Sequence, residues 1–228
     1  MEMSSKKVYE ILKNKGVASI YHANTVITSC QFLRNRSLLS RGTINRKGMY
    51  QTPQISDKND RKFGIWFDVF TDSVDIHQRA KRANLYGPVL FVLDSELIKK
   101  TYTGKIWVTK LNPIKWLGRR YKERWFTSAE DLEENFVLGD FNQMIVFRHC
   151  GGELPFKDYL LEIILDNPKL ESNHIDYYSM AYGALKLAMT EGRIDVRIKK
   201  RKCPIKCTCL DEYKTNISNT KQMFIPKI

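Results

Sequence analysis

The chain is poor in cysteine, in acidic residues and in long apolar runs. Five cysteines in 228 residues are too few and too scattered for the disulfide framework of a small secreted domain. The longest apolar runs, at 88–93 and 160–165, cover only a few residues, far short of the roughly 20 that a membrane-spanning helix needs. The opening stretch MEMSSKKVYEILKNKG has no apolar segment long enough for a signal peptide. These absences predict a soluble, cytoplasmic chain with no membrane partner. The common catalytic signatures are missing as well. No G-x-G-x-x-G, Walker A, H-E-x-x-H or G-x-S-x-G occurs, which removes the usual dinucleotide, phosphate-loop, zinc-protease and nucleophile-elbow readings. Asp and Glu number 25 against 38 Lys and Arg, for a net charge of +13 and a pI near 9.5. That excess favours a polyanionic partner, nucleic acid before an anionic surface or an acidic protein.

The composition does support a core: 43% of residues are hydrophobic and 11% aromatic. Residues 5–15 read as a helix, with Val8, Ile11 and Leu12 on one face and Gly16 to end it. Residues 17–22 read as a buried strand, and Asn24 or Thr25 can cap a second helix that runs to about residue 40. The polar stretch 43–62 reads as a long loop. Strands are expected at 63–69, 88–94, 105–110, 143–148, 159–166 and 193–199. Helices are expected from Asp72 through HQRAKRAN, from Ser128, and from Asn173 to Gly192. With no internal repeat and no clean linker, the pattern predicts one α+β domain over 1–200 and a basic, cysteine-containing extension over 201–228.

Three strand-end segments carry the chemistry. The first is Tyr21-His22-Ala23-Asn24-Thr25, followed by a helix and by residues 38–42, LLSRG. A His at a sheet rim can donate from a ring nitrogen to a ribose hydroxyl, and Asn24 with nearby backbone groups can meet a carboxamide, which needs a donor and an acceptor. The second is Gly64-Ile65-Trp66-Phe67, where a small residue and a ring give close approach and a flat face. The third is Asn142-Gln143-Met144-Ile145-Val146, where one polar side chain opens an apolar strand.

In this order the segments resemble the diphtheria-toxin-like, or H-Y-E, ADP-ribosyltransferase superfamily, with Trp66 in place of the family's Tyr and Gln143 in place of its Glu. The resemblance covers about residues 17–165 and implies a split β-sheet core with peripheral helices. It also implies NAD as the substrate that donates ADP-ribose. His22, Trp66 and Gln143 would be the catalytic set. His22, Ala23, Asn24, Thr25, Arg41, Arg46, Trp66 and His77 would hold NAD, with His77 as a second ring at the nicotinamide and Arg41, Arg46 or Arg61 on the pyrophosphate. The short lead and the basic surface look more like the DarT group of toxins and phage-defence effectors, which modify nucleic acid. The implied acceptor is RNA ahead of DNA, with an antitoxin protein as a further partner. A transferase acting on protein, a non-catalytic nucleic-acid-binding module, and a nuclease using scattered Asp and Glu residues are the alternatives.

Gln143 departs from the family pattern, since an amide brings no negative charge. Three readings follow: a chain whose catalytic Glu has been exchanged for Gln, a chain that uses another carboxylate such as Glu153, or a natural binder. Two basic stretches offer a nucleic-acid surface. Residues 115–125, KWLGRRYKERW, interleave Lys115, Arg119, Arg120 and Arg124 with Trp116, Tyr121 and Trp125, and residues 193–206 include Lys199, Lys200 and Arg201. Cations beside exposed rings can hold single strands; the bland alternative is a solvated basic face with its tryptophans in the core. Cys203, Cys207 and Cys209 form C-x3-C-x-C. A zinc site needs a fourth ligand and usually a C-x2-C pair, and neither is present locally. No metal is expected, and the three are read as reduced thiols beside a basic tail.

Overall fold

The computed structural model describes residues 2–54, 56–100, 104–172 and 174–225. Along the chain, β1 (Met3–Ser4) leads into α1 (Ser5–Asn14), β2 (Ser19–Asn24), α2 (Val26–Arg34) and β3 (Ser37–Leu39). Two short helices follow, α3 (Arg41–Arg46) and α4 (Asp57–Lys62), then β4 (Val69–Thr71), α5 (Ile76–Ala80), β5 (Val89–Asp94) and β6 (Lys105–Val108). The next elements are α6 (Tyr121–Arg124), α7 (Ala129–Asn135), β7 (Ile145–Phe147), β8 (Glu153–Pro155) and β9 (Leu160–Leu165). The chain continues through β10 (Glu171–Ser172), β11 (Ile175–Asp176), α8 (Tyr177–Gly192), β12 (Arg197–Lys200), α9 (Cys209–Thr215) and α10 (Ile217–Phe224). None of these helices is long and apolar enough to cross a membrane.

The fold is α+β, built on two four-stranded sheets. One has the order β12-β9-β5-β2 and the other β1-β6-β7-β4. The central strand β5, VLFVLD, is apolar at consecutive positions because both of its faces are covered. It pairs antiparallel with β2 on one side and β9 on the other, while β12 joins β9 in parallel. The sheets meet edge to edge at one bridge. Tyr21 N–H donates to Asp72 C=O at 2.9 Å, and Asp72 N–H donates back at 2.8 Å. Beyond that bridge β2 and the second sheet part, and the gap between them is where the site lies.

The helices cover the apolar faces. α1 buries Val8, Ile11 and Leu12, and Gly16, at φ +89°, turns the chain out of it. α8 is capped by Asp176, which accepts from Ser179 N–H at 2.8 Å. Asn173, expected to open this helix, lies outside the described residues. A second, smaller core gathers Ile65, Trp107, Trp116, Trp125, Met144 and Val146.

Local structure differs from expectation in five places. The helix expected from Asp72 through Asn84 covers only Ile76–Ala80, capped by Asp75 and stopped where Lys81 turns left-handed at φ 56°. The helix expected to reach residue 40 stops at Arg34. Arg36 adopts a left-handed φ of 54°, and Ser37, Leu38 and Leu39, all buried, pair with β8 instead. The expected loop 43–62 holds α4 and most of α3, which Ser40 caps by accepting from Thr43 N–H. Residues 63–68 form a turn, with Gly64 at φ +67° and Asp68 N–H bonded to Ile65 C=O, so the strand begins at Val69. The C-terminal stretch forms α9 and α10, and it places Cys209, Tyr213, Met223 and Phe224 in the main core.

Candidate functional site

A cavity open at its mouth lies at the parting of the two sheets. His22, Ala23 and Asn24 of β2 line it, with Ser40, Arg41, Asp60, Asp68, Asp72, Tyr86 and Met144 among the other wall residues.

Strand alternation explains the β2 contribution. Tyr21 spends its N–H and C=O on Asp72, on the edge away from β5. Backbone groups two residues apart on a strand point the same way, so Ala23 turns its own N–H and C=O to that edge, past the end of the bridge. His22 Nδ1 lies 2.8 Å from Phe70 C=O. A carbonyl only accepts, so Nδ1 carries the hydrogen and Nε2 keeps its lone pair. Asn24 Nδ2 approaches that nitrogen at 3.4 Å, and Asn24 Oδ1 accepts from Thr25 N–H at 2.9 Å. Burial lowers the His22 pKa, outweighing the raising effect of Phe70, which keeps the ring neutral. The imidazole therefore offers the cavity an acceptor, not the donor expected of a His at this rim, because Phe70 C=O takes the ring's one N–H.

Three carboxyl groups share the wall. Burial is the largest cause of each shift, pushing Asp60 up to about 6, Asp68 to about 7 and Asp72 to about 7. Arg148 opposes the rise at Asp68: its Nε stands 2.8 Å from Oδ2, although the pair lacks hydrogen-bond alignment. At Asp72 the charge of Asp75 adds to the rise. Tyr86 is pushed up to about 12, first by burial and then by Asp72 and Asp60. Carboxyl groups that titrate near neutrality in a cleft are the usual currency of acid–base and charge-stabilising chemistry.

The other expected site residues are placed as follows. Arg41 reaches the cavity with its fork already engaged, Nε and Nη2 on Asp57 at 2.9 and 2.7 Å and Nη1 on Thr52 C=O at 2.8 Å. Trp66 is buried behind it, 5.9 Å from the Arg41 guanidinium and 3.9 Å from that of Arg61. Thr25 is tied into a hydroxyl network with Thr28 and Thr52. Arg46 lies over the Phe67 ring and reaches Gly151 C=O. His77 is in a different place altogether, fully buried against Asp166 and the C-terminal cysteines. Gln143 is buried, and both halves of its amide are committed. Oε1 accepts from Val137 N–H at 2.7 Å and Nε2 donates to Asn135 C=O at 3.1 Å. It pins the end of α7, while its neighbour Met144 faces the cavity.

The basic stretches divide in the same manner. Trp116 and Trp125 are core residues in edge-to-face contact at 4.8 Å, and Tyr121 is 50% exposed. Arg124 lies across Phe63 and Trp116, Arg119 and Arg120 pair with Glu123, and Lys115 donates to Asn142. Lys199 pairs with Glu162, and Lys200 sits over the Tyr178 ring. Arg201 turns inward, its side chain 5% exposed, onto Asp75 and Asp166.

Asp68 and Asp72 were not singled out from the sequence. Their signal was two acids in the apolar run FDVFTD, where a carboxylate is costly unless it has a use. Compared with known proteins, the chain matches no family model and no curated protein at a significant level.

Proposed function

We propose that the chain is an NAD-dependent ADP-ribosyltransferase on a split-sheet fold of that superfamily, acting as a toxin or phage-defence effector on nucleic acid, with RNA ahead of DNA. The observation that carries the reading is the convergence on one cavity of a strand edge at Ala23 that is unpaired among the described residues, a neutral His22, and three carboxyl groups, Asp68 buried and Asp60 and Asp72 half-buried. The nicotinamide carboxamide needs one donor and one acceptor, and Ala23 N–H and C=O supply both. Nε2 of His22 accepts a hydrogen bond from a ribose hydroxyl, which takes the place of the long 3.4 Å approach of Asn24 Nδ2.

Cleavage of the nicotinamide–ribose bond leaves positive charge on the sugar, which a carboxylate stabilises. Asp68 and Asp72 are the carboxylates at hand. Gln143 is not needed for this role, because its amide holds the backbone of 135 and 137. Arg46 and Arg61, both exposed, are the arginines left to meet the pyrophosphate. Exposed cations of 115–124 and Lys199 and Lys200 would draw a nucleic-acid acceptor to the cleft.

The test is calorimetric titration with NAD, then mass spectrometry of RNA, DNA and protein incubated with the chain and NAD. NAD binding, and a mass increase of one ADP-ribose on RNA or DNA, are expected. His22→Ala should weaken NAD binding, and Asp68→Asn or Asp72→Asn should slow transfer about a hundredfold. No NAD binding overturns the transferase reading. A mass increase on protein alone overturns the nucleic-acid acceptor.

A further inference from the structure

Away from the cavity, three cysteines and one histidine converge. His77 Nε2 lies 3.3 Å from Cys207 Sγ and 3.8 Å from Cys203 Sγ, and Cys203 Sγ lies 3.5 Å from Cys209 Sγ. All four ligand atoms fall within 4.8 Å of one another. A tetrahedral zinc ion with Zn–S of about 2.3 Å and Zn–N of about 2.0–2.1 Å implies edges of about 3.8 Å between sulfurs and about 3.6 Å from sulfur to nitrogen. The observed spacings bracket these values. We propose that His77, Cys203, Cys207 and Cys209 form a structural zinc site that fastens the C-terminal segment to α5.

A second observation points the same way. Asp166, buried, accepts from His77 Nδ1 at 2.8 Å. The carboxylate fixes the hydrogen on Nδ1 and leaves the Nε2 lone pair facing the thiols, the orientation that zinc-bound histidines receive from a carboxylate behind them. Asp166 is held in turn by Tyr213 Oη at 2.6 Å and by Arg201. The segment is registered on α5 before any metal is added: Thr208 N–H donates to Lys81 C=O at 2.9 Å. Four protein ligands complete a tetrahedron and leave no position for water, so the site is structural rather than catalytic. The sequence concealed it because the fourth ligand lies 126 residues before Cys203. Binding needs no redox partner: thiol protons leave to solvent as Zn–S bonds form.

The test is metal analysis of the full chain purified without chelator, followed by replacement with Co2+. About one zinc per chain is expected, and the Co2+ form should show the intense visible bands of tetrahedral thiolate coordination. Cys207→Ser should lower zinc affinity at least tenfold, while Cys30→Ser, on a thiol away from the cluster, should leave it unchanged. Asp166→Asn, which keeps an acceptor on His77, should weaken binding by about 10–100-fold. Should Cys207→Ser fail to fold, zinc release from the unaltered chain on titration with a mercurial reagent reads the same ligands. Absence of zinc after growth and refolding in its presence, Co2+ spectra without tetrahedral bands, or a Cys203–Cys209 disulfide in the freshly purified chain would each overturn the proposal.

Discussion

Gln143 shows how much a single side chain depends on its neighbours. Its amide donates to one backbone group and accepts from another, which an ionised carboxylate cannot do. Gln143→Glu keeps an acceptor for Val137 N–H but sets a carboxylate against Asn135 C=O. The expected result is a loss of about 1–3 kcal/mol in chemical denaturation with no gain in NAD turnover. A gain in turnover would return Gln143 to the role that its motif implied. Asp72 makes the opposite case. Its pKa rises on folding, so the folded state holds a proton that the unfolded state has released between about pH 4 and 7. Stability contributed by this group is therefore greatest below about pH 4 and falls as pH rises toward 7. Asp72→Asn should raise stability at pH 8 by about 1–2 kcal/mol and have little effect at pH 4, as thermal melts at the two pH values would show. Stabilisation at the expense of activity is the mark of a group kept for function.

At the scale of elements, the cavity depends on where β2 ends. Gly87, at φ +144°, lies against the turn after that strand, and a Cβ there would fall 2.2 Å from the Asn24 carbonyl carbon and 2.3 Å from its oxygen. Backbone cannot yield by that amount. Gly87→Ala should cost about 1–3 kcal/mol through strain and displacement, and it should weaken ligand binding at the cavity more than a surface Gly118→Ala does. The sequence marked most elements with strong periodicity or caps: α1 by Val8, Ile11 and Leu12, α7 by Ser128, and β5 by its unbroken apolar run. It failed where side-chain pattern is ambiguous. Ser37, Leu38 and Leu39 extend a helical pattern as readily as a strand, and only pairing with β8 decides between them.

Residues 201–224 are tied into the body of the molecule. Cys209, Tyr213, Met223 and Phe224 are buried in the main core, and Arg201 bridges Asp75 and Asp166. Full burial of each large apolar side chain stabilises by about 1.5–3 kcal/mol, so together they rival the marginal stability of a domain of this size. A chain ending at residue 200 should lack a cooperative thermal transition by circular dichroism. A cooperative melt would mean that the expected domain boundary is a real one.

Composition and pattern by themselves determined the α+β class, most of the strands, the basic surface and the His22-Ala23-Asn24 rim, because each rests on local periodicity or on net charge. Tertiary structure decided the rest. Strand parity at the Tyr21–Asp72 bridge turns the Ala23 backbone toward the cavity, while bonds to Val137 and Asn135 hold Gln143 on α7 and leave its neighbour Met144 on the wall. The placement of His77 depends on parallel pairing of β12 with β9, which brings residues 201–209 beside α5. Contacts between groups more than a hundred residues apart leave no periodic trace in a sequence, because loop closure, not neighbouring residues, creates them.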